Sequence, residues 1–170
     1  SLWMITPSSK GWNFVLIGPD HDQSIGRSHI THQANIHWIG PRAYVDLPGY
    51  LHLFDVAIIP FKINDITLAT SPLKLYEYFS GGKPVITTPM PECMAYSEVC
   101  IVRTPEEFAV NLDIAYTSAK DLSFRGRLLK LASDNTWRSR VKLIINQLEK
   151  TSKLKNNLVV LPNNEPMNEL

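Results

Sequence analysis

The stretch Thr70–Ile86, TSPLKLYEYFSGGKPVI, carries the signals of a complete helix and of the strand that follows it. Ser71 suits the N-cap, and Pro72 the first helical position, where its missing N–H costs nothing. Gly81 and Gly82 supply a left-handed stop, with Pro84 just beyond. Leu75 and Phe79, with Leu73 or Tyr76 beside them, give the helix an apolar side, while Lys74 and Glu77, three apart, are neighbours on another. On spacing alone, two readings of the helix start stand level. In one, Thr70, Ser71 and the N–H groups of Leu73 and Lys74 hold a phosphate, aided by the helix dipole and the Lys74 charge. In the other, this is an ordinary capped helix with a surface Lys74–Glu77 pair worth ~0.3 kcal/mol.

The flanks decide between them. Upstream, Asp55–Pro60, DVAIIP, is a continuous apolar run, as expected of a strand covered on both faces. A polar loop from Lys62 to Thr70 then delivers the chain to Ser71. Further strands are predicted at Trp12–Ile17, Ile36–Ile39, Val85–Thr88 and Val99–Val102. Helical spacing recurs over Tyr44–Phe54, after the Thr104 cap with Pro105, from Phe124, and from about Asn135. Short apolar strands alternating with helices predict a parallel sheet with helices on both faces, a Rossmann-like α/β fold. Such sheets bind ligands beyond the carboxyl ends of their strands, which is where the loop after Asp55–Pro60 places the helix start. The anion-site reading is therefore favoured.

Composition narrows the function classes. The 170 residues are 44% hydrophobic and carry a formal charge of +1, giving no reason to expect a nucleic-acid partner or an extended acidic-membrane surface. No apolar run approaches the ~20 residues that span a bilayer. Cys93 and Cys100 form no CxxC pair, so a reducing, cytoplasmic setting is the default. His21, His29 and His32 lack zinc spacing and read as surface histidines. There is no GxSxG, Walker loop or GxGxxG, and a hydrolase reading has little support. Ser1–Lys10 lacks a cap or clear periodicity and reads as a cut edge, 1–11. Beyond Lys150 the composition turns to Asn, Lys and Pro, so 151–170 is expected to be a flexible tail. The folded domain is expected over 12–150.

With these elements assigned, DVAIIPF, the polar loop, SPLKLYEYFSGGKPVITTPMPE, the TPEEF helix and the closing NTW helix resemble glycosyltransferases of the GT-B fold. The likeness is to their C-terminal, nucleotide-sugar-binding half, in the mostly retaining group marked by two glutamates separated by seven residues. Bacterial enzymes of surface-polysaccharide synthesis, of the teichuronic-acid type, are the nearest in kind. The resemblance makes Glu77 the second signature glutamate, binding the donor ribose. It sets Ser71–Lys74 against the donor diphosphate, with Thr70, and Ile39, Gly40, Pro41 and Arg42 against the base. Lys74 and Glu77 become the catalytic candidates. The Trp137 helix resembles one that crosses back to the N-terminal domain.

Two departures accompany the likeness. The first signature glutamate, with seven residues before Glu77 intervening, is Ala69 here. The acceptor domain and the first donor-domain strand are not in the chain, which reads as a fragment that binds donor and alone transfers nothing. The implied partners are a nucleotide-sugar donor, the missing acceptor domain and a membrane-associated acceptor, with no nucleic acid. The implied location is cytoplasmic, peripheral at the inner membrane face through the missing domain. The chemistry implied is electrostatic stabilisation of a departing diphosphate, with no metal or other cofactor. The alternatives are a non-catalytic nucleotide-binding or interaction module of the same fold, and a nucleotide-sugar epimerase, which would need acid–base residues that do not stand out.

Overall fold

The computed structural model describes residues 2–8, 11–20, 23–27 and 32–158. Among them, six strands form one sheet: β1 (Leu2–Ser8), β2 (Gly11–Ile17), β3 (Ile36–Trp38), β4 (Val56–Ile59), β5 (Val85–Thr87) and β6 (Val99–Ile101). Their order is β3-β2-β1-β4-β5-β6, the order of a doubly wound dinucleotide-binding sheet. β2 and β3 pair in parallel, as do β4, β5 and β6, and the fold is the expected α/β one.

β1 departs from the sequence reading, which assigns no element to Ser1–Lys10. It lies in the middle of the sheet, antiparallel to both β2 and β4, with Ser8 opposite Gly11 and Trp3 opposite Ile58. Two residues separate β1 from β2. A parallel crossover needs a dozen or more, so only a hairpin connection is open to this chain.

Around the sheet stand α1 (Ser24–Arg27), α2 (Leu47–His52), α3 (Asp65–Leu68), α4 (Leu73–Ser80), α5 (Pro91–Met94), α6 (Pro105–Ala119) and α7 (Leu122–Asp134). The four β4 residues show how the layers form, because alternate side chains leave a strand on opposite faces. Val56 and Ile58 pack with Ile86 of β5 and Leu112 and Ala115 of α6. Ala57 and Ile59 pack with Leu51 of α2, Leu75, Tyr78 and Phe79 of α4, and Leu128 of α7. An all-apolar strand is thus buried on both sides.

Residues 1–133 make one compact unit, and 134–170 a second that carries α8 (Trp137–Leu158). Thr136 caps α8, its hydroxyl accepting from the Ser139 N–H at 3.2 Å. The helix runs past Lys150, where a flexible tail is expected from composition, as far as Leu158. Lysine and leucine, four of the eight residues from 151 to 158, are good helix formers. The rest of that tail, and His21 and His29, lie outside the described residues.

Candidate functional site

α4 begins one residue later than the sequence signals place it. Pro72, extended at φ −76° and ψ 104°, is the N-cap, and the Leu75 N–H closes the first turn on its carbonyl at 2.9 Å. Ser71 stands one residue before the cap, and no side-chain cap hydrogen bond forms. No side chain caps α4, so Leu73 and Lys74 present N–H groups that have no intrahelical acceptor. The expected Ser71 cap is corrected, and the correction leaves the helix end open. A capping box does exist nearby, on α3: Asn64 accepts from the Thr67 N–H at 3.0 Å while Thr67 accepts from the Asn64 N–H at 2.9 Å. The sequence reading treats that segment as loop. Thr70 donates its hydroxyl to the Ile66 carbonyl at 2.7 Å, which commits its proton to the turn before α4.

Lys74 and Glu77 turn to different partners. The Lys74 ammonium lies 5.1 Å from the centre of the Phe61 ring, a cation–π contact. Phe61 is fixed in turn, its carbonyl accepting from the Thr88 hydroxyl at 2.7 Å. Lys74 is thus tied to the carboxyl edges of β4 and β5. Burial lowers its pKa, and the nearby Glu77 carboxylate opposes the shift. The Glu77 carboxylate accepts a hydrogen bond from the Tyr44 hydroxyl at 3.0 Å, across 33 residues of chain. That bond, with the Glu77 charge, raises the Tyr44 pKa.

The segment expected to border a base follows β3. The Ile39 N–H donates to Leu16 and the Gly18 N–H to the Gly40 carbonyl, each at 3.0 Å, so this turn is anchored to the end of β2. Gly40 adopts φ +71°, where a side chain would be strained. Arg42 follows Pro41 and donates through Nε to the Tyr50 hydroxyl at 3.0 Å. Tyr44, two residues later, carries the chain to Glu77. The structure therefore joins the chain just beyond this segment to Glu77, with Lys74 one turn nearer the α4 start.

A hollow beside α4 does not coincide with that helix start. A cleft of about 280 Å³ runs between α2 and α4, lined by Tyr44, Leu47, Leu51, Glu77, Ser80 and Gly81. Of the predicted site residues it contains Glu77; Thr70, Ser71, Leu73 and Lys74 are outside its lining. A second hollow of about 220 Å³ opens at the carboxyl ends of β4–β6, between Pro60, Thr88, Arg103 and Phe108. Sequence reasoning missed Tyr44, Phe61 and Thr88. Their roles rest on contacts made across the fold, and the nearest signal was the position of Phe61 just after one predicted strand and of Thr88 at the end of another.

Comparison with known proteins gives the family. The profile of the family described as Glycosyl transferases group 1 matches residues 4–117. TuaH of Bacillus subtilis (strain 168), assigned as a teichuronic acid biosynthesis glycosyltransferase, is 35% identical over 81 residues. That match takes in 47% of this chain and 20% of TuaH. Anabaena HepE, crystallised in complex with UDP and glucose, superposes with a TM-score of 0.51 at 20% identity. It covers 82% of this chain and 40% of the HepE chain, so the chain spans well under two thirds of either relative. The GT-B likeness drawn from the sequence is upheld in both fold and family. With more than half of its length matched, the chain belongs to the group 1 glycosyl transferases.

Proposed function

We infer that this chain is the donor-binding unit of a glycosyltransferase that moves a sugar from a nucleoside diphosphate to an acceptor hydroxyl. The observation that carries the reading is the uncapped α4 N-terminus. It stands at the carboxyl edge of the sheet with Lys74 beside it and Glu77 one turn on. The hard part of such a transfer is the negative charge that grows on the departing diphosphate. The N–H groups of Leu73 and Lys74 and the Lys74 ammonium are assigned to that charge, as fixed dipoles and a cation that need no reorganisation. Glu77, oriented by Tyr44, is assigned the ribose hydroxyls, and the turn Ile39–Arg42 the base. The sugar contacts fall to the backbone of Asp65–Thr70, which is α3 and the turn after it, since Ala69 offers no carboxylate.

The teichuronic-acid relative supports an acceptor in polysaccharide or cell-envelope synthesis. The share of each relative covered supports an acceptor site built by polypeptide other than these 170 residues. The chain alone then binds donor and transfers nothing.

Titration calorimetry with UDP, GDP, ADP and dTDP tests the reading, with UDP first because HepE was crystallised with it. One nucleotide is expected to bind, and to do so in EDTA as well, because the chain's own cations neutralise the diphosphate. Glu77→Ala is expected to weaken that binding about ten- to a hundredfold, the loss of hydrogen bonds to a charged group at about 1.5–3 kcal/mol. Binding of no nucleotide at millimolar concentration would leave the non-catalytic module as the better account.

A further inference from the structure

Glu77 does not present a bare carboxylate. Its Oε1 accepts the Tyr44 hydroxyl at 3.0 Å, and among the described residues no other hydrogen bond reaches it. Tyr44 is no core residue, being 75% exposed, whereas Glu77 is half-buried. Backbone sets where Tyr44 stands. It opens a 3-10 turn, Tyr44–Asp46, just after Ile39–Arg42. That segment is fastened to the end of β2 by the Ile39 and Gly18 N–H groups, and to α2 by Arg42 on Tyr50. Tyr44 and Glu77 also share the lining of the cleft between α2 and α4, so one open space borders both. The proton count of the pair limits what it can hold. An ionised carboxylate only accepts hydrogen bonds, and a tyrosine hydroxyl has one proton and two acceptor positions. The bond to Glu77 and the Glu77 charge raise the Tyr44 pKa, so the phenol keeps its proton and donates it to Oε1. What the pair then offers a ligand is two neighbouring acceptors, and their complement is two adjacent donors, as in vicinal hydroxyls.

We propose that Tyr44 is itself a donor-binding residue: its hydroxyl oxygen accepts one of the two vicinal ribose hydroxyls while Glu77 accepts the other. The site then takes ribonucleoside diphosphates and discriminates against their deoxy counterparts, which leave one acceptor unpaired. The inference rests on the assignment of Glu77 to the donor ribose and adds that the carboxylate does not hold both hydroxyls alone. The two arrangements differ in what Tyr44 touches. If Tyr44 only oriented Glu77, its loss would weaken every nucleotide alike, because the disturbed carboxylate serves them all. If Tyr44 holds one hydroxyl, its loss and the loss of that hydroxyl remove the same bond and are not additive.

Calorimetric titration of the 170-residue chain and of its Tyr44→Phe variant tests this, with the ribonucleoside diphosphate that the chain binds, UDP first, and with its 2′-deoxy and 3′-deoxy analogues. The unaltered chain is expected to bind each analogue about tenfold more weakly than the parent nucleotide, one hydrogen bond being lost in each case. Tyr44→Phe is expected to weaken the parent nucleotide and one analogue about tenfold as well. The other analogue, lacking the hydroxyl that faces Tyr44, is expected to change by less than about twofold, since its bond is already missing. Tyr44 is exposed, and urea unfolding of the variant checks that the fold is kept. Equal weakening of all three nucleotides overturns the proposal and makes Tyr44 a positioning residue for Glu77, while no weakening of any overturns it outright. Failure of the unaltered chain to bind any nucleotide removes the donor-binding reading itself, and the role of Tyr44 falls with it.

Discussion

Lys74 shows how one side chain acquires a special setting from residues far away in sequence. Thr88 holds Phe61, Phe61 lies under the ammonium, and the surrounding burial disfavours its charge. The pKa is therefore lower in the folded chain than the ~10.4 of an ordinary lysine. The cation is lost at a lower pH than usual, so nucleotide affinity is expected to fall as pH rises through that depressed pKa. Lys74→Arg, whose guanidinium does not deprotonate, should flatten the fall when dissociation constants are measured across a pH series. Tyr76 is displaced the other way. It donates to Glu92 and shares a 2.9 Å hydrogen bond with Tyr96, and burial, followed by these bonds, raises its pKa. Because the folded pKa lies above the unfolded one, this contribution to stability is complete below about pH 10 and is lost as pH rises beyond it. Tyr76→Phe is expected to cost about 1–2 kcal/mol at neutral pH in urea unfolding, and to soften the alkaline loss of stability.

At the scale of the element, α4 ends on two glycines that are there for different reasons. Gly82 adopts φ +63°, and the chain closes as a Schellman motif, with Lys83 N–H on the Tyr78 carbonyl at 3.0 Å and Gly82 N–H on Phe79 at 2.8 Å. Gly81 has an ordinary right-handed conformation, φ −84°. Its constraint is space, since a Cβ there would lie 2.6 Å from Leu51 Cδ2. Gly82→Ala is expected to cost about 1–2 kcal/mol from backbone strain alone. Gly81→Ala is expected to cost about 1–3 kcal/mol through overpacking of α2 against α4. Leu51→Ala should relieve the second effect and not the first, so a double-mutant cycle by thermal or urea unfolding separates them. Gly81 and Leu51 also line the cleft that holds Glu77.

At the scale of the molecule, β4 is the part on which both layers depend. Ile59 is buried among α2, α4 and α7, and its neighbour Ile58 faces α6. Ile59→Ala is expected to destabilise the chain by about 2–5 kcal/mol, the cost of a buried large-to-small change. Ile114→Ala, on a residue of α6 that is 57% exposed, should stay within about 0.5 kcal/mol in the same unfolding assay. The contrast tests the inward placement of Ile59 against the outward placement of Ile114.

Fold class was legible because its signals are local. The DVAIIP run, the glycines after Ser80 and the Thr104–Pro105 start each lie within a few residues of the element they specify, and strand-to-helix spacing supplied the rest. The helix carrying Lys74 and Glu77 was legible for the same reason, and so was its position after a buried strand. Several features were decided only in three dimensions. The sequence pattern of Leu2–Ser8 did not reveal a strand, and it became a central one through pairing with β2 and β4. The N-cap moved from Ser71 to Pro72, which left the α4 N–H groups open. Tyr44 met Glu77, and Phe61 met Lys74, through side chains separated by many residues of chain. Periodicity and turn chemistry act over about a dozen residues, and so fix elements and their order. Which side chains face each other at the carboxyl edge of a sheet depends on how the elements pack, and no local pattern records it.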